Sequence, residues 1–60
     1  MFQITGIDNS NQPVYFNGIW QRHPNKAGKW EKSEACRIAN IANRYPEIHN
    51  VKVEELHYAH

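Results

Sequence analysis

Apolar residues recur at every third or fourth position between Ser33 and Tyr45, and this is the strongest periodic pattern in the chain. The apolar stripe consists of Ala35, Ile38, Ala39, Ala42 and Tyr45, with Ile41 on its flank. Such spacing predicts one amphipathic helix that packs against another layer of the protein. We expect Ser33 to cap its first turn. We expect Pro46 to end it, because proline pushes the residue before it out of the α region.

Shorter apolar segments on both sides of this helix predict strands. They are Phe2–Ile7, Val14–Phe16, Ile19–Arg22 and a last strand from about Asn50 to Glu55. The alternation of apolar and polar residues breaks between Val53 and Leu56, where the strand either forms a bulge or ends. The polar segment 8–13, between the first two strands, has the composition of a turn.

The pair Asn17-Gly18 stands between the second and third of these segments. It predicts a hairpin with a type I′ turn, because both central residues of such a turn have positive φ. One alternative stays open, in which residues 14–20 form a single strand with a kink at Gly18. The segment 23–29 contains proline, glycine and asparagine and predicts a loop, followed by a short extended piece at Trp30 and Glu31.

These elements predict the α+β class, with a small antiparallel sheet of three or four strands packed on one helix in the order β-β-(β)-α-β. A mixed sheet is the alternative, since the sequence does not fix the partner of the last strand. We expect a single domain over residues 1–56 and a frayed tail over residues 57–60. Because one helix covers only one face of a sheet, we expect aromatic residues of the strands to be partly exposed on the other face.

The composition narrows the classes of function. A chain of 60 residues buries only a small core, and its single cysteine, Cys36, cannot form a disulfide within the chain. We expect Cys36 to be a half-buried apolar side chain in a cytoplasmic protein. A net charge of +1 does not indicate strong non-specific attraction to nucleic acid, and no apolar run is long enough to cross a membrane. Pairing with a second copy, as a homodimer, would help so small a core.

Candidate chemical groups are few. His57 and His60 have the spacing of two metal ligands on one helical turn, and His49 and Cys36 are further candidates. A structural zinc site needs four ligands, usually with close cysteine pairs, so we expect neither a metal nor another cofactor. The adjacent Glu54 and Glu55 point to opposite faces of a strand, which disfavours a carboxylate dyad. We therefore expect no catalytic residues and a protein that is not an enzyme.

Aromatic and basic residues around the hairpin are the best candidates for a contact surface. For a protein partner, the expected contact residues are Tyr15, Ile19, Trp20 and Arg22. For nucleic acid, which is the alternative partner, they are Arg22, Lys26, Lys29 and Trp30. Basic side chains beside aromatic rings can bind phosphates and stack on nucleobases.

One pattern between Tyr15 and Ala35 comprises Tyr15-Phe16-Asn17-Gly18, Ala27, Trp30, Ser33 and Glu34-Ala35. It resembles a pattern of small uncharacterised phage and prophage proteins, in which an aromatic hairpin leads through a short loop into a helix. This chain departs from that pattern in its proline-containing loop at His23-Pro24. Its strand-to-helix junction is also similar to that of the sheet-plus-helix DNA-binding domains of some phage integrases and plant transcription factors, which carry more basic residues on the sheet.

Two functions are expected from these observations. The first is a small non-enzymatic protein-binding module, of the kind of a phage accessory protein or inhibitor that acts on a host protein. The alternative is a nucleic-acid-binding domain that uses the loop 20–30. We favour the first, because a balanced charge and spare aromatic residues are typical of contact with a protein.

Overall fold

The computed structural model describes residues 1–56, and the predicted tail 57–60 lies outside the described residues. Its elements are β1 (Phe2–Asp8), β2 (Pro13–Phe16), β3 (Trp20–Gln21), a 3-10 turn (Pro24–Lys26), α1 (Lys32–Ala42) and β4 (Ile48–Glu55). The strands form one antiparallel sheet in the order β3-β2-β1-β4, and α1 packs against β1 and β4. The α+β class is confirmed, and the last strand lies antiparallel to the first, so the mixed sheet is excluded.

The core lies on the side of the sheet that α1 covers. Its buried side chains are Ile4, Val14, Ala35 and Ala39, and Ile4 is completely inaccessible. Burial alternates along β1, because successive residues of a strand point to opposite faces. Two alanines at the helix contact leave room for close approach of the two layers. The small size of this core makes every atom at the contact between sheet and helix important for stability.

The helix begins at Lys32, one residue before the predicted cap, so the assignment of Ser33 as N-cap was wrong. Trp30 and Phe2 exchange backbone hydrogen bonds of 2.8 Å, which keep Trp30 in an extended conformation. The carbonyl of Glu31 then accepts the first helical bond, from the N–H of Ala35 at 2.8 Å. Glu31 is therefore the N-cap residue, and Ser33 lies inside the first turn.

The helix also ends earlier than predicted, at Ala42 rather than just before Pro46. The N–H groups of Arg44 and Tyr45 donate to carbonyls three residues back, each at 3.1 Å, and so tighten the chain into a turn. Tyr45 is 58% exposed as a result, and its predicted place in the apolar stripe was wrong. Cys36 is exposed rather than half-buried, because it lies on the helix face that points away from the sheet.

The hairpin is confirmed, and the alternative of a single kinked strand is excluded by the pairing of Phe16 with Trp20. Its predicted turn type was wrong. A three-residue loop, Asn17–Ile19, replaces the type I′ turn, and only Gly18 within it has positive φ, at 109°. The side chain of Asn17 donates to the carbonyl of Lys26 at 2.8 Å. The following strand, β3, is correspondingly shorter than predicted.

The register between β1 and β4 shifts by one residue, so that Asn50 and Val51 together stand opposite Gly6. Asn50 adopts a left-handed conformation with φ of 54°. Between Val53 and Leu56, where the sequence predicted either a bulge or the end of the strand, the end is confirmed, because β4 stops at Glu55. The bulge lies nearer the start of β4. A Cβ atom on Gly6 would overlap the Cγ2 methyl of Ile48. Glycine is required at position 6 because the side chain of Ile48 on β4 occupies the space that a Cβ atom would need.

We expect Gly6→Ala to destabilise the fold by about 1–3 kcal/mol, which is the usual cost of overpacking a buried site. The added methyl group collides with Ile48, so that β4 must shift along or away from β1. Urea unfolding followed by circular dichroism, in a buffer with a stabilising osmolyte, measures the change in free energy of unfolding.

Ile48→Ala provides the matched background, because it removes the methyl group with which the new Cβ atom collides. In that background the cost of Gly6→Ala is expected to fall to less than half. Equal costs in the two backgrounds would show that the contact with Ile48 is not the reason for glycine at position 6.

Candidate functional site

The sheet has a second face, opposite α1, which no other described element covers; we call it the open face. Its residues were identified from the strand register and the alternation of side chains. A groove of about 340 Å³ runs across it. The groove is lined by Gln3, Thr5, Gly6, Ile7, Pro13, Tyr15, Asn50, Lys52 and Glu54.

A row of directly opposed residues crosses all four strands on this face. Gln21 stands opposite Tyr15, Tyr15 opposite Thr5, and Thr5 opposite Lys52. The short side chain of Thr5 therefore forms the floor of the groove, between the phenol ring of Tyr15 on one side and the ammonium group of Lys52 on the other. Cross-strand neighbours of this kind lie close enough to contact one ligand together.

The groove has an apolar end and a polar end. Ile7 and Pro13 are direct partners on β1 and β2, and with Tyr15 they form the apolar end. At the polar end, Gln3 Nε2 donates to Glu54 Oε2 at 3.3 Å, and Thr5 Oγ1 donates to Glu54 Oε1 at 3.5 Å. A surface with both characters matches a protein segment better than it matches a purely apolar or purely charged ligand.

The aromatic residues that were expected to stand free are mostly packed on the helix side of the sheet. Phe16 contacts Trp20 edge-to-face with ring centroids 5.1 Å apart, and it stacks on Trp30 at 5.7 Å. The indole N–H of Trp30 donates to the carbonyl of Phe16 at 3.4 Å. These three rings cover the part of the sheet that α1 does not reach.

The four residues predicted for a protein partner do not share one surface. Tyr15 lines the groove of the open face, whereas Trp20 lies on the helix side beside Phe16. Ile19 is 66% exposed in the hairpin loop. Arg22 forms an ion pair with Asp8 at 3.1 Å. Only Tyr15 of this set lies in the groove.

The residues predicted for nucleic acid are also placed differently from one another. Trp30 is half-buried against Phe16, and Arg22 is engaged with Asp8. Lys26 lies at the end of the 3-10 turn, and Lys29 is exposed two residues before the helix cap. The stacking face of Trp30 is therefore already occupied by a ring of its own chain.

Sequence reasoning missed most of the groove, including Lys52 and Glu54 on β4. One signal was present: if Ile4 is a core residue, then Gln3 and Thr5 must point to the other face. Their partners on β4 follow only from the register. Because the bulge at Asn50 shifts this register by one residue, the pairing of β1 with β4 cannot be derived from the alternation of residues in the sequence.

Metal ligands do not come together in residues 1–56, where no group of three histidine, cysteine or acidic side chains is suited to a metal ion. His49 and Cys36 are both exposed. His57 and His60, which have the spacing of two ligands, lie outside the described residues. In the same part of the chain, no helix combines the length and apolar character needed to span a membrane.

The turn between β1 and β2 fixes the apolar end of the groove. Asp8 Oδ1 accepts hydrogen bonds from the N–H groups of Ser10 and Gln12, both at 2.9 Å, and Arg22 Nη2 donates to Oδ2 at 3.1 Å. The bond from Gln12 is the largest influence on the carboxyl group, and together with Ser10 and Arg22 it lowers the pKa of Asp8 from 3.8 despite an opposing effect of desolvation. The ionised form therefore stabilises this turn.

Comparison of the chain with known protein families, with curated proteins and with solved structures found no match in any of the three. The functional inference therefore rests on the geometry and chemistry of the open face.

We expect Asp8→Asn to lower the melting temperature at neutral pH and to have less effect in acid. Because the pKa of Asp8 is lowered in the folded state, its stabilising effect is present above pH 3.8 and is lost as the pH falls through the lowered folded-state value. Thermal unfolding of both proteins between neutral pH and strong acid measures the difference.

Glu47→Gln is the control, since it removes an exposed carboxylate outside this turn. Its melting curve is expected to follow that of the unchanged protein at every pH. A constant difference between Asp8→Asn and the unchanged protein across the acid range would contradict the role assigned to the Asp8 charge.

Proposed function

We propose that this protein is a non-enzymatic protein-binding module that acts in the cytoplasm and docks on its partner through the open face of the sheet. The observation that carries this proposal is the groove on that face, with Tyr15 on one wall and Lys52 and Glu54 on the other. The opposite face is already occupied by α1 and by the packed rings of Phe16, Trp20 and Trp30.

Tyr15 is the expected centre of the contact. Its ring is half-buried and stands beside Ile7 and Pro13, so a partner can bury it further without displacing any element of the fold. Tyrosine offers a large rigid surface together with one hydroxyl group, and it is enriched among the residues that dominate binding energies. The apolar end of the groove therefore supplies affinity.

The polar end supplies orientation. Lys52 and Glu54 present opposite charges on the same wall, so the matching surface carries an acidic and a basic group at corresponding positions. The chain has a net charge of +1, and long-range attraction contributes little to binding. We therefore infer a partner segment with an apolar side chain for the Tyr15 end and polar groups for the Lys52 end.

The proposal extends to the biological role. A small domain with one adhesive face and a balanced charge is suited to mask a surface of a larger protein, as an accessory protein or inhibitor does. The proposed partner in this role is a host protein. This role depends on docking alone and needs no catalytic residue of the chain.

Affinity capture from a bacterial lysate tests the proposal. The tagged protein, its Tyr15→Ala variant and its Tyr45→Ala variant are compared by quantitative mass spectrometry, after nuclease treatment and at about 0.5 M salt, where exposed charges are screened. We expect a protein that is retained by the unchanged chain and by Tyr45→Ala and is lost with Tyr15→Ala. For the purified partner, Tyr15→Ala is expected to weaken binding by about 2 kcal/mol or more, or roughly 30-fold in Kd.

Tyr45 is the matched control because it is an exposed tyrosine that does not line the groove. The proposal fails if no captured protein depends on Tyr15, or if Tyr45→Ala has the same effect. Capture that disappears after nuclease treatment and falls steeply with salt would instead support the nucleic-acid alternative.

A further inference from the structure

The outer edge of β4 is the longest open edge of the described sheet. β4 is the last strand in the order β3-β2-β1-β4 and has eight residues without a proline, whereas β3, at the other edge, has two. An edge strand presents unpaired N–H and C=O groups that can pair with another strand.

The register shows which residues of β4 direct these groups outward. The N–H of Leu56 donates to the carbonyl of Met1 at 2.9 Å, which makes these two residues a hydrogen-bonded pair. Bonded and non-bonded pairs alternate in an antiparallel ladder. Glu54 and Lys52 are therefore bonded to β1 as well, with Gln3 and Thr5 as their partners.

The residues between them point the other way. Val53 and Glu55 direct their backbone N–H and C=O groups away from β1, toward the open edge. The C=O of Val51 points the same way, because it shares a peptide unit with the N–H of Lys52, which faces β1. Phe2, the partner of Glu55, confirms this alternation, because its N–H donates to Trp30 on the opposite side of β1 rather than to β4. Asn50, in the bulge, interrupts the regular edge toward the N-terminal end of β4. The usable edge is thus residues 51–55.

Residues 51–55 of one copy are complementary to the same residues of a second copy that runs antiparallel to it. If a two-fold axis passes through Val53, then Val53 of one copy faces Val53 of the other, and Val51 faces Glu55. The two Val53 residues can exchange two hydrogen bonds, and the C=O of each Val51 can accept one from the N–H of Glu55 of the other copy. Lys52 of each copy then stands opposite Glu54 of the other copy, at the non-bonded positions where side chains approach most closely.

Neighbouring registers lack this match. A two-fold axis perpendicular to the sheet keeps the open faces of both copies on the same side. Because directly opposed residues of antiparallel strands point to the same face, such an axis always places one residue opposite the same residue of the other copy. An axis at Lys52 places two lysines opposite each other, and an axis at Glu54 places two glutamates opposite each other; both arrangements are repulsive. Charge therefore selects the axis at Val53.

We propose that a second copy of this chain is the partner of the β4 edge, paired antiparallel about Val53 so that two four-stranded sheets become one continuous sheet. Within residues 1–56 the ion pairs are Arg22–Asp8 and Arg37–Glu34, and Lys52 belongs to neither. Glu54 is held only by the long contacts to Gln3 and Thr5, against which a lysine of the second copy can compete. The inference goes beyond the binding of a foreign protein and does not rest on it, because the pairing is made by the outward backbone groups of β4, although the side chains of Lys52 and Glu54 also line the groove.

Charge reversal tests the pairing. Lys52→Glu and Glu54→Lys are each expected to raise the dimer Kd at least about tenfold, since both cross-strand pairs become repulsive. An equimolar mixture of the two single variants is expected to form a heterodimer, because positions 52 and 54 are then both acidic in one chain and both basic in the other. Sedimentation equilibrium from about 10 μM to about 1 mM, a range suited to a small interface, and native mass spectrometry of the mixture measure both effects.

A backbone variant separates edge pairing from side-chain effects. Chemical synthesis with N-methylvaline at position 53 keeps the side chain and removes one outward N–H group, which is not used by β1. We expect this protein to keep its circular dichroism spectrum and to be monomeric across the same concentration range.

The proposal is wrong if the unchanged chain stays monomeric throughout, or if it dimerises and neither charge reversal nor N-methylation changes the Kd. It is also wrong if the mixed variants do not associate. Loss of a foreign partner on N-methylation, with the unchanged chain monomeric, would assign the edge to a foreign strand instead of a second copy. Failure of the Tyr15 capture experiment leaves these outcomes unaffected, so the two proposals fail separately.

Discussion

Close contact between α1 and the sheet, which Ala35 and Ala39 allow, is the interaction on which the rest of this structure depends. It completely buries Ile4 at the centre of β1, and a chain of 60 residues has few other places to hide apolar surface. Larger side chains on the helix would lift it from the sheet and leave a gap over Ile4. Packing is equally tight at position 6, where the Cγ2 methyl of Ile48 on β4 leaves no room for a side chain on Gly6 of β1.

In the described residues, packed elements cover one side of the sheet and leave the other side open. α1 covers β1 and β4, and the rings of Phe16, Trp20 and Trp30 cover the hairpin, so the large apolar groups serve stability. The reverse side keeps smaller and more polar groups around Tyr15. The proposed recognition surface can therefore be used without exposing the core, because the two lie on opposite faces of the same strands.

The sequence predicted the helix and the strands better than it predicted the strand register and the face of the sheet on which each side chain lies. Helical spacing and the Asn-Gly pair located α1 and the hairpin, since both signals are local. The helical place of Tyr45 failed because local hydrogen bonds to the carbonyls of Ile41 and Ala42 turn the chain at the end of the helix. The cap at Ser33 failed because a distant contact intervened, the backbone pairing of Trp30 with Phe2. The groove was hidden for a related reason. Whether Trp20 or Tyr15 faces outward depends on the loop length after Phe16, and the alignment of Lys52 with Thr5 depends on one extra residue at Asn50.

The position of β1 between β2 and β4 has a consequence for how the chain is made. Of the four strands, β1 is synthesised first. One of its two edges stays unpaired until β4 has been made, and β2, β3 and α1 are all synthesised in between. Until then the hairpin side alone can form, and Ile4 remains without its full cover. Pairing across so long a separation requires closure of a large loop, which slows folding and exposes the waiting edge to other nascent chains. The apolar residues of β1 thus stay accessible until β4 has been synthesised.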